Sequence, residues 1–161
     1  MYVESKVSLR IPKSQILNLI TKPGNLEKFH PFCKNNIAIK WPGNGSIDKL
    51  EYLNGLILVR EFYNWSDDGY TLKIGAKKNM AVVNWIVEGN NTNSSLLIRI
   101  NPNIENFISF KSILIKRMLW FLYLKPMLQI YINHVIKGFK YYMVSENIVL
   151  PNQFGKHRWF S

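Results

Sequence analysis

The tightest restriction on this chain's fold lies in its last helix-forming run. From Lys125-Pro126 to about Asn147, the residues Leu128, Ile132, Val135, Phe139 and Tyr142 recur at the three-and-four spacing of a buried helical stripe. Tyr131 and His134 share a neighbouring face with Met127 and Tyr141, so more than half of the helix circumference is apolar. Such a helix needs two covering surfaces. A sheet supplies one, and a bound apolar molecule or a membrane would supply the other.

The sheet is written upstream. Val3, Ser5, Val7, Leu9 and Ile11 alternate with Tyr2, Glu4, Lys6, Ser8 and Arg10, a strand that ends at Pro12. Ser14 is then placed to cap a short helix carrying Ile16, Leu17 and Ile20, which breaks at Lys22-Pro23-Gly24-Asn25 before a second short segment with Leu26, Phe29 and Phe32. Six further strands are expected over 37–41, 47–53, 56–65, 70–76, 81–88 and 95–100. The turn clusters PGNGS, NG, SDDG, KKN and GNNTN separate them. In 56–65 both faces carry apolar groups, and the reading places Ile57, Val59, Glu61, Tyr63 and Trp65 inward. After Pro102 the chain turns helical over 112–124, is interrupted at Lys125-Pro126, and continues in the long run already described. Residues 1–147 form one expected domain, and 148–161 a basic aromatic tail that is either mobile or folded back.

Of the 161 residues, 47% are hydrophobic and 19% charged, which supports one globular core and excludes a disordered chain. The single cysteine, Cys33, excludes an internal disulfide, and with three histidines it leaves no Cys-rich metal site; a reduced, cytoplasmic setting is the expectation. The opening has no basic start followed by an apolar run, so no secretory signal is read and Met1 is the expected start. The net charge of +11 attracts phosphates of nucleic acid or of lipid headgroups. Eight cations against the single acid Glu146 fall in residues 107–161, where large apolar side chains are also densest. Only 5 of the 21 cations are Arg, which argues against sequence-specific reading of nucleic acid.

Strand, two short helices, six strands and a long terminal helix is the order of an α+β helix-grip fold: a curved antiparallel sheet of about seven strands around a C-terminal helix. The chain resembles the START-like group, also called SRPBCC, in its polyketide cyclase/dehydratase-like or coenzyme Q-binding-like branch. The resemblance is carried by Val7-Ser8-Leu9-Arg10-Ile11-Pro12-Lys13 leading into Ile16-Leu17-Asn18-Leu19-Ile20, and by Asn25-Leu26-Glu27-Lys28-Phe29-His30-Pro31. Val59-Arg60-Glu61-Phe62 and Phe139-Lys140-Tyr141-Tyr142 extend it over roughly residues 1–147. It implies an apolar cavity between sheet and helix, closed at one end by the short helices. The lining expected from it is Leu26, Phe29 and Phe32, then Val59, Glu61, Tyr63, Val83 and Trp85, with Tyr131 and His134 from the terminal helix. The aromatic set suits a lipid, an isoprenoid quinone or a polycyclic ligand.

The leading functional expectation is therefore a non-catalytic carrier of a hydrophobic small molecule. The alternative is a cyclase/dehydratase-type enzyme with Glu61, Tyr63 or His134 as acid or base. No cofactor is expected, and no metal cluster, phosphate loop or dinucleotide fingerprint is present in the sequence. Cys33 lacks a local nucleophile motif. Met118 to Ile136 is long enough on paper to cross a bilayer, but Lys125, Pro126, Gln129, Asn133 and His134 argue against crossing. Surface attachment is the membrane expectation: Lys116, Arg117, Trp120, Phe121 and Lys125 would meet an anionic surface. A contact with a partner, a homodimer contact or a buried helix–sheet interface remains the other reading of 118–124.

Overall fold

The computed structural model describes residues 1–76, 78–107 and 112–161. Strand β1 (Val3–Leu9) buries Val3, Val7 and Leu9, as its alternation dictates. Pro12, rather than Ser14, occupies the cap of α1 (Lys13–Ile20), and no side chain caps that helix. The pyrrolidine ring already holds the backbone φ near the helical value, so the turn needs no hydroxyl. Helix α2 (Leu26–Phe29) follows and buries Leu26 and Phe29.

The six remaining strands are β2 (Cys33–Lys40), β3 (Ile47–Tyr52), β4 (Ile57–Ser66), β5 (Gly69–Gly75), β6 (Asn79–Gly89) and β7 (Ser94–Pro102). They form an antiparallel meander in the order β7-β6-β5-β4-β3-β2, and β1 closes the sequence by pairing with β7. The turn expected over 77–79 includes Lys77, which lies outside the described residues, as does Lys111. The sheet curves about the terminal helix. β2 starts four residues earlier than expected and leaves Ile37 and Ile39 exposed, because it forms the far edge of the sheet.

β4 is inverted relative to expectation. Leu58, Arg60 and Phe62 are buried, whereas Ile57 and Glu61 are exposed and Val59 and Tyr63 only half-buried. Trp65 alone of the five expected residues packs against the core. A break in register between Tyr63 and Ser66, with Asn64 at φ 51°, turns the strand so that Trp65 reaches Phe62 and Tyr70.

After α3 (Ile104–Phe107), helix α4 (Ile113–Leu119) passes through a π-helical turn (Trp120–Leu124) into α5 (Lys125–Ser145) without a break. The interruption expected at Lys125-Pro126 is absorbed there. Proline offers no N–H and its ring crowds the carbonyl four residues back, and a wider turn relieves both. α5 buries Leu128, Ile132, Val135, Ile136 and Phe139 against the inner face of the sheet. Gly138 sets how closely α5 meets α2. A Cβ there would stand 2.1 Å from the Phe29 carbonyl oxygen, so any other residue would push the two helices apart.

Residues 148–161 fold back. Val149 N–H donates to the Lys28 carbonyl and Asn152 N–H to the Pro31 carbonyl, which ties the tail to the end of α2. Phe160 then stacks on Tyr52 with ring centroids 4.3 Å apart.

Candidate ligand cavity

The inner face of the sheet and the facing side of α5 do not close on each other completely. Between them lies a cavity of about 490 Å³. Leu58, Leu72, Val83, Trp85, Ile98 and Ile100 from the sheet and Leu124, Leu128, Ile132 and Val135 from the helices make its wall largely hydrocarbon. Its mouth is framed by the β3–β4 turn, the π-helical turn and the tail: Leu56 and Tyr123 are 37% and 38% exposed there. Asn54 Nδ2 donates to the Trp159 carbonyl at 2.8 Å, and Trp159 Nε1 donates to Tyr123 Oη at 3.2 Å, so the tail bridges both sides of the opening.

Apart from Tyr123 and Trp159 at the mouth, the polar residues of the wall are His30, Tyr52, Arg60 and Tyr131. Arg60 is 3% exposed and Asp48 fully buried. The two residues lie directly opposite each other across β3 and β4. Arg60 Nε donates to Asp48 Oδ1 at 2.7 Å and Nη2 donates to Oδ2. Asn36 Nδ2 donates to the same carboxylate at 3.0 Å. The carboxylate is thus satisfied by three donors, the condition under which a buried ion pair is tolerated.

Beside this cluster, His30 and Tyr131 come together with Tyr52. His30 Nε2 lies 2.9 Å from Tyr131 Oη, and Tyr131 Oη lies 3.1 Å from Tyr52 Oη. Burial first, and the Arg60 charge second, pull the His30 pKa down to about 3, so the ring is neutral. Burial likewise pushes Tyr131 up to about 12 and Tyr52 well above its ordinary value. The Cys33 thiol is pushed up to about 12, chiefly by burial and then by Glu27, which removes the thiolate that nucleophilic chemistry needs.

Of the residues expected to line the cavity, Leu26, Val83, Trp85 and Tyr131 stand on its wall. Phe29 and Phe32 are fully buried behind it: Phe29 packs edge-on against Phe139, and Phe32 stacks on Tyr131. Val59, Glu61 and Tyr63 lie on the opposite face of β4, so neither Glu61 nor Tyr63 can act as acid or base inside the cavity. His134 sits under the tail beside Phe32, with its Nδ1 buried and lacking a hydrogen-bond partner among the described residues. Sequence reasoning did not place Tyr52, Trp159 or Phe160 at the cavity, and it set Arg60 with Leu56, Leu58 and Phe62 on the face of the 56–65 strand read as outward. Tyr52 was within reach, since it shares the phase of Leu50 on β3, but Asp48 in the same phase masks that face as polar.

Trp120, expected at a membrane surface, is 2% exposed and belongs to the core. Phe121 next to it is exposed, with Lys125 Nζ 5.7 Å from its ring centroid, and Arg117 is exposed nearby. Lys116 is half-buried, 3.9 Å from Glu105. Among the described residues no helix is long and apolar enough to cross a membrane, and no cluster of His, Cys, Asp and Glu could hold a metal ion.

No protein-family model matches the sequence, and no curated protein does. Solved structures do match in shape. The protein TTHA0849 from Thermus thermophilus is 10% identical with a TM-score of 0.64, over 91% of this chain and 99% of that one. A START superfamily protein from Mycobacterium smegmatis is 11% identical with a TM-score of 0.61, over 86% and 94% of the two chains. The chain has the START-like helix-grip fold. The same grip recurs in the di-domain ARO/CYC protein BexL from the BE-7585A biosynthetic pathway, at 8% identity and a TM-score of 0.63. This chain spans about half of that protein, 48% of its length against 91% of its own. A helix-grip fold hosts several activities, so the cavity itself must carry any argument about function.

Proposed function

We propose that this START-like domain binds and carries a hydrophobic small molecule, of lipid, quinone or polycyclic type, in the cavity between sheet and α5. The observation that carries this reading is the 490 Å³ interior space with its largely hydrocarbon wall, into which His30, Tyr52, Arg60 and Tyr131 bring a small polar cluster. A guest burying about 300 Å² of apolar surface would gain roughly 7 kcal/mol before the costs of binding are subtracted. Purified protein extracted with organic solvent should release a co-purified apolar compound detectable by mass spectrometry. The stripped protein should take up an environment-sensitive apolar dye. Val83→Phe, which fills the space from the wall, should weaken dye binding at least about tenfold with folding intact. Equal dye binding by both proteins would remove the cavity from the account.

A second feature supports delivery from a membrane surface. The outer face of α4 and the π-helical turn exposes Ile113, Leu114, Met118, Phe121 and Leu122, at 55–74%. No Asp or Glu occurs between Ser112 and Ser145, while Lys116, Arg117 and Lys125 lie in the same stretch. Apolar side chains beside the cations Arg117 and Lys125 match the chemistry of an anionic bilayer. Leu119, Tyr123 and Leu124 of this stretch also line the cavity, so a docked surface would lie against its mouth. In flotation with phosphatidylcholine–phosphatidylglycerol vesicles, Phe121→Glu/Leu122→Glu should reduce the bound fraction by roughly tenfold. Unchanged flotation, or equal binding to phosphatidylcholine alone, would overturn the docking face.

A further inference from the structure

Hydrogen bonds have direction, and beside Tyr52 the direction is determined by counting protons. The Phe32 backbone N–H donates to His30 Nδ1 at 3.2 Å. In a neutral imidazole a nitrogen that accepts carries no hydrogen, so the ring proton sits on Nε2. Nε2–H therefore donates to Tyr131 Oη, 2.9 Å away. The two hydroxyls share one further bond, across 3.1 Å. The ring N–H and the two O–H groups bring three protons to this row, and two hydrogen bonds use two of them. One hydroxyl proton is left over, with no acceptor among the described residues.

Cooperativity decides where it sits. A hydroxyl that accepts from one neighbour donates more strongly to the next, so the row runs from His30 through Tyr131 to Tyr52 and leaves the Tyr52 proton unclaimed. The hydroxyl is not free to wander in search of a partner. Its ring is clamped between Phe160, stacked at 4.3 Å, and His30, edge-on at 5.9 Å. Tyr52 is 1% exposed, so bulk water does not satisfy it, and its side chain stands on the cavity wall. A buried donor left without an acceptor is costly, and a guest that brings an acceptor removes the cost.

We propose that Tyr52 Oη is the donor that makes this cavity select guests carrying a neutral acceptor oxygen, such as a ketone, quinone or ester carbonyl, over hydrocarbons of the same shape. The selectivity rests on the cavity being a binding site, as argued above. Tyr52 acts on the guest directly, while His30 and Tyr131 are positioning residues that orient its proton outward.

Fluorene and 9-fluorenone differ only in a methylene against a carbonyl, and they provide the test. The native protein should bind fluorenone about 2- to 10-fold more tightly than fluorene, the range of one neutral hydrogen bond. The carbonyl stretch of bound fluorenone should fall below its value in hexane. Tyr52→Phe/Tyr131→Phe should erase the preference for fluorenone over fluorene and return the stretch to its hexane position. Equal affinities in the native protein, or an unshifted stretch there, overturn the selectivity and leave the carrier reading standing. A preference that survives in the double variant assigns the donor to another group, such as Arg60 Nη1, and overturns the role of Tyr52. Failure of the native protein to bind either compound overturns the carrier reading itself.

Discussion

Asp48→Ala should lower the unfolding free energy by roughly 3–5 kcal/mol, the cost of leaving one member of a buried ion pair without its partner. Arg60 would keep its full charge at 3% exposure while losing the carboxylate that accepts from both Nε and Nη2. Asn36 would lose an acceptor at the same time. The joint change Asp48→Leu/Arg60→Met removes both charges and places apolar groups of similar reach side by side. It should cost far less than the sum of the two single changes, because most of each single penalty is the stranded partner. Urea unfolding of the native protein, Asp48→Leu, Arg60→Met and the joint variant measures the coupling directly. A loss below about 1 kcal/mol for Asp48→Ala would mean that water reaches the pair and that this side of the cavity is wet.

The second large effect is acid sensitivity. His30 titrates near its usual 6.5 in an unfolded chain and is pulled down to about 3 in the folded one. The unfolded state therefore binds more protons in between, and stability must fall as the pH drops. The contribution is whole above pH 6.5 and is lost progressively toward pH 3. By pH 5, before most carboxylates titrate, the loss from this one group amounts to roughly 2 kcal/mol. His134 and His157 are lowered in the same direction, both chiefly by burial, and add to the slope. Urea midpoints between pH 7 and pH 5 should fall accordingly, and His30→Gln should flatten most of the dependence. An identical slope in that variant would show that His30 is not the buried neutral group described here. All three histidines pack around Phe32, at centroid distances of 5.5–6.0 Å, so acid should loosen the tail and the cavity end it covers together.

Much of the architecture was legible because its signals are local. SDDG and GNNTN announce turns by residue type, and Tyr70, Leu72 and Ile74 declare their face through strict alternation. The cavity was anticipated from the resemblance to the START-like group, in agreement with a helix carrying more apolar surface than a sheet can cover. Four of its wall residues, Leu26, Val83, Trp85 and Tyr131, lie on elements whose phase was plain. β4 was not legible. Arg60 and Glu61 put one charge on each face, and nothing within the strand says which is tolerated inside. Trp120 and Phe121 posed the same problem on a helix apolar on every side, and the π-helical turn rotated Trp120 into the core.

Periodicity and turn chemistry act between residues a few positions apart, and for that reason the order of elements, the seven strands and the need for a second cover on the last helix could be read from the residues alone. The polar side of the cavity took shape only when distant segments met. Arg60 is acceptable indoors because β3 brings Asp48 opposite it, and Tyr52 is held on the cavity wall because His30 and Phe160 arrive from distant parts of the chain. Burying a charge or aiming a proton depends on partners that no local pattern encodes. That dependence is why the fold was readable before the chemistry of its interior was.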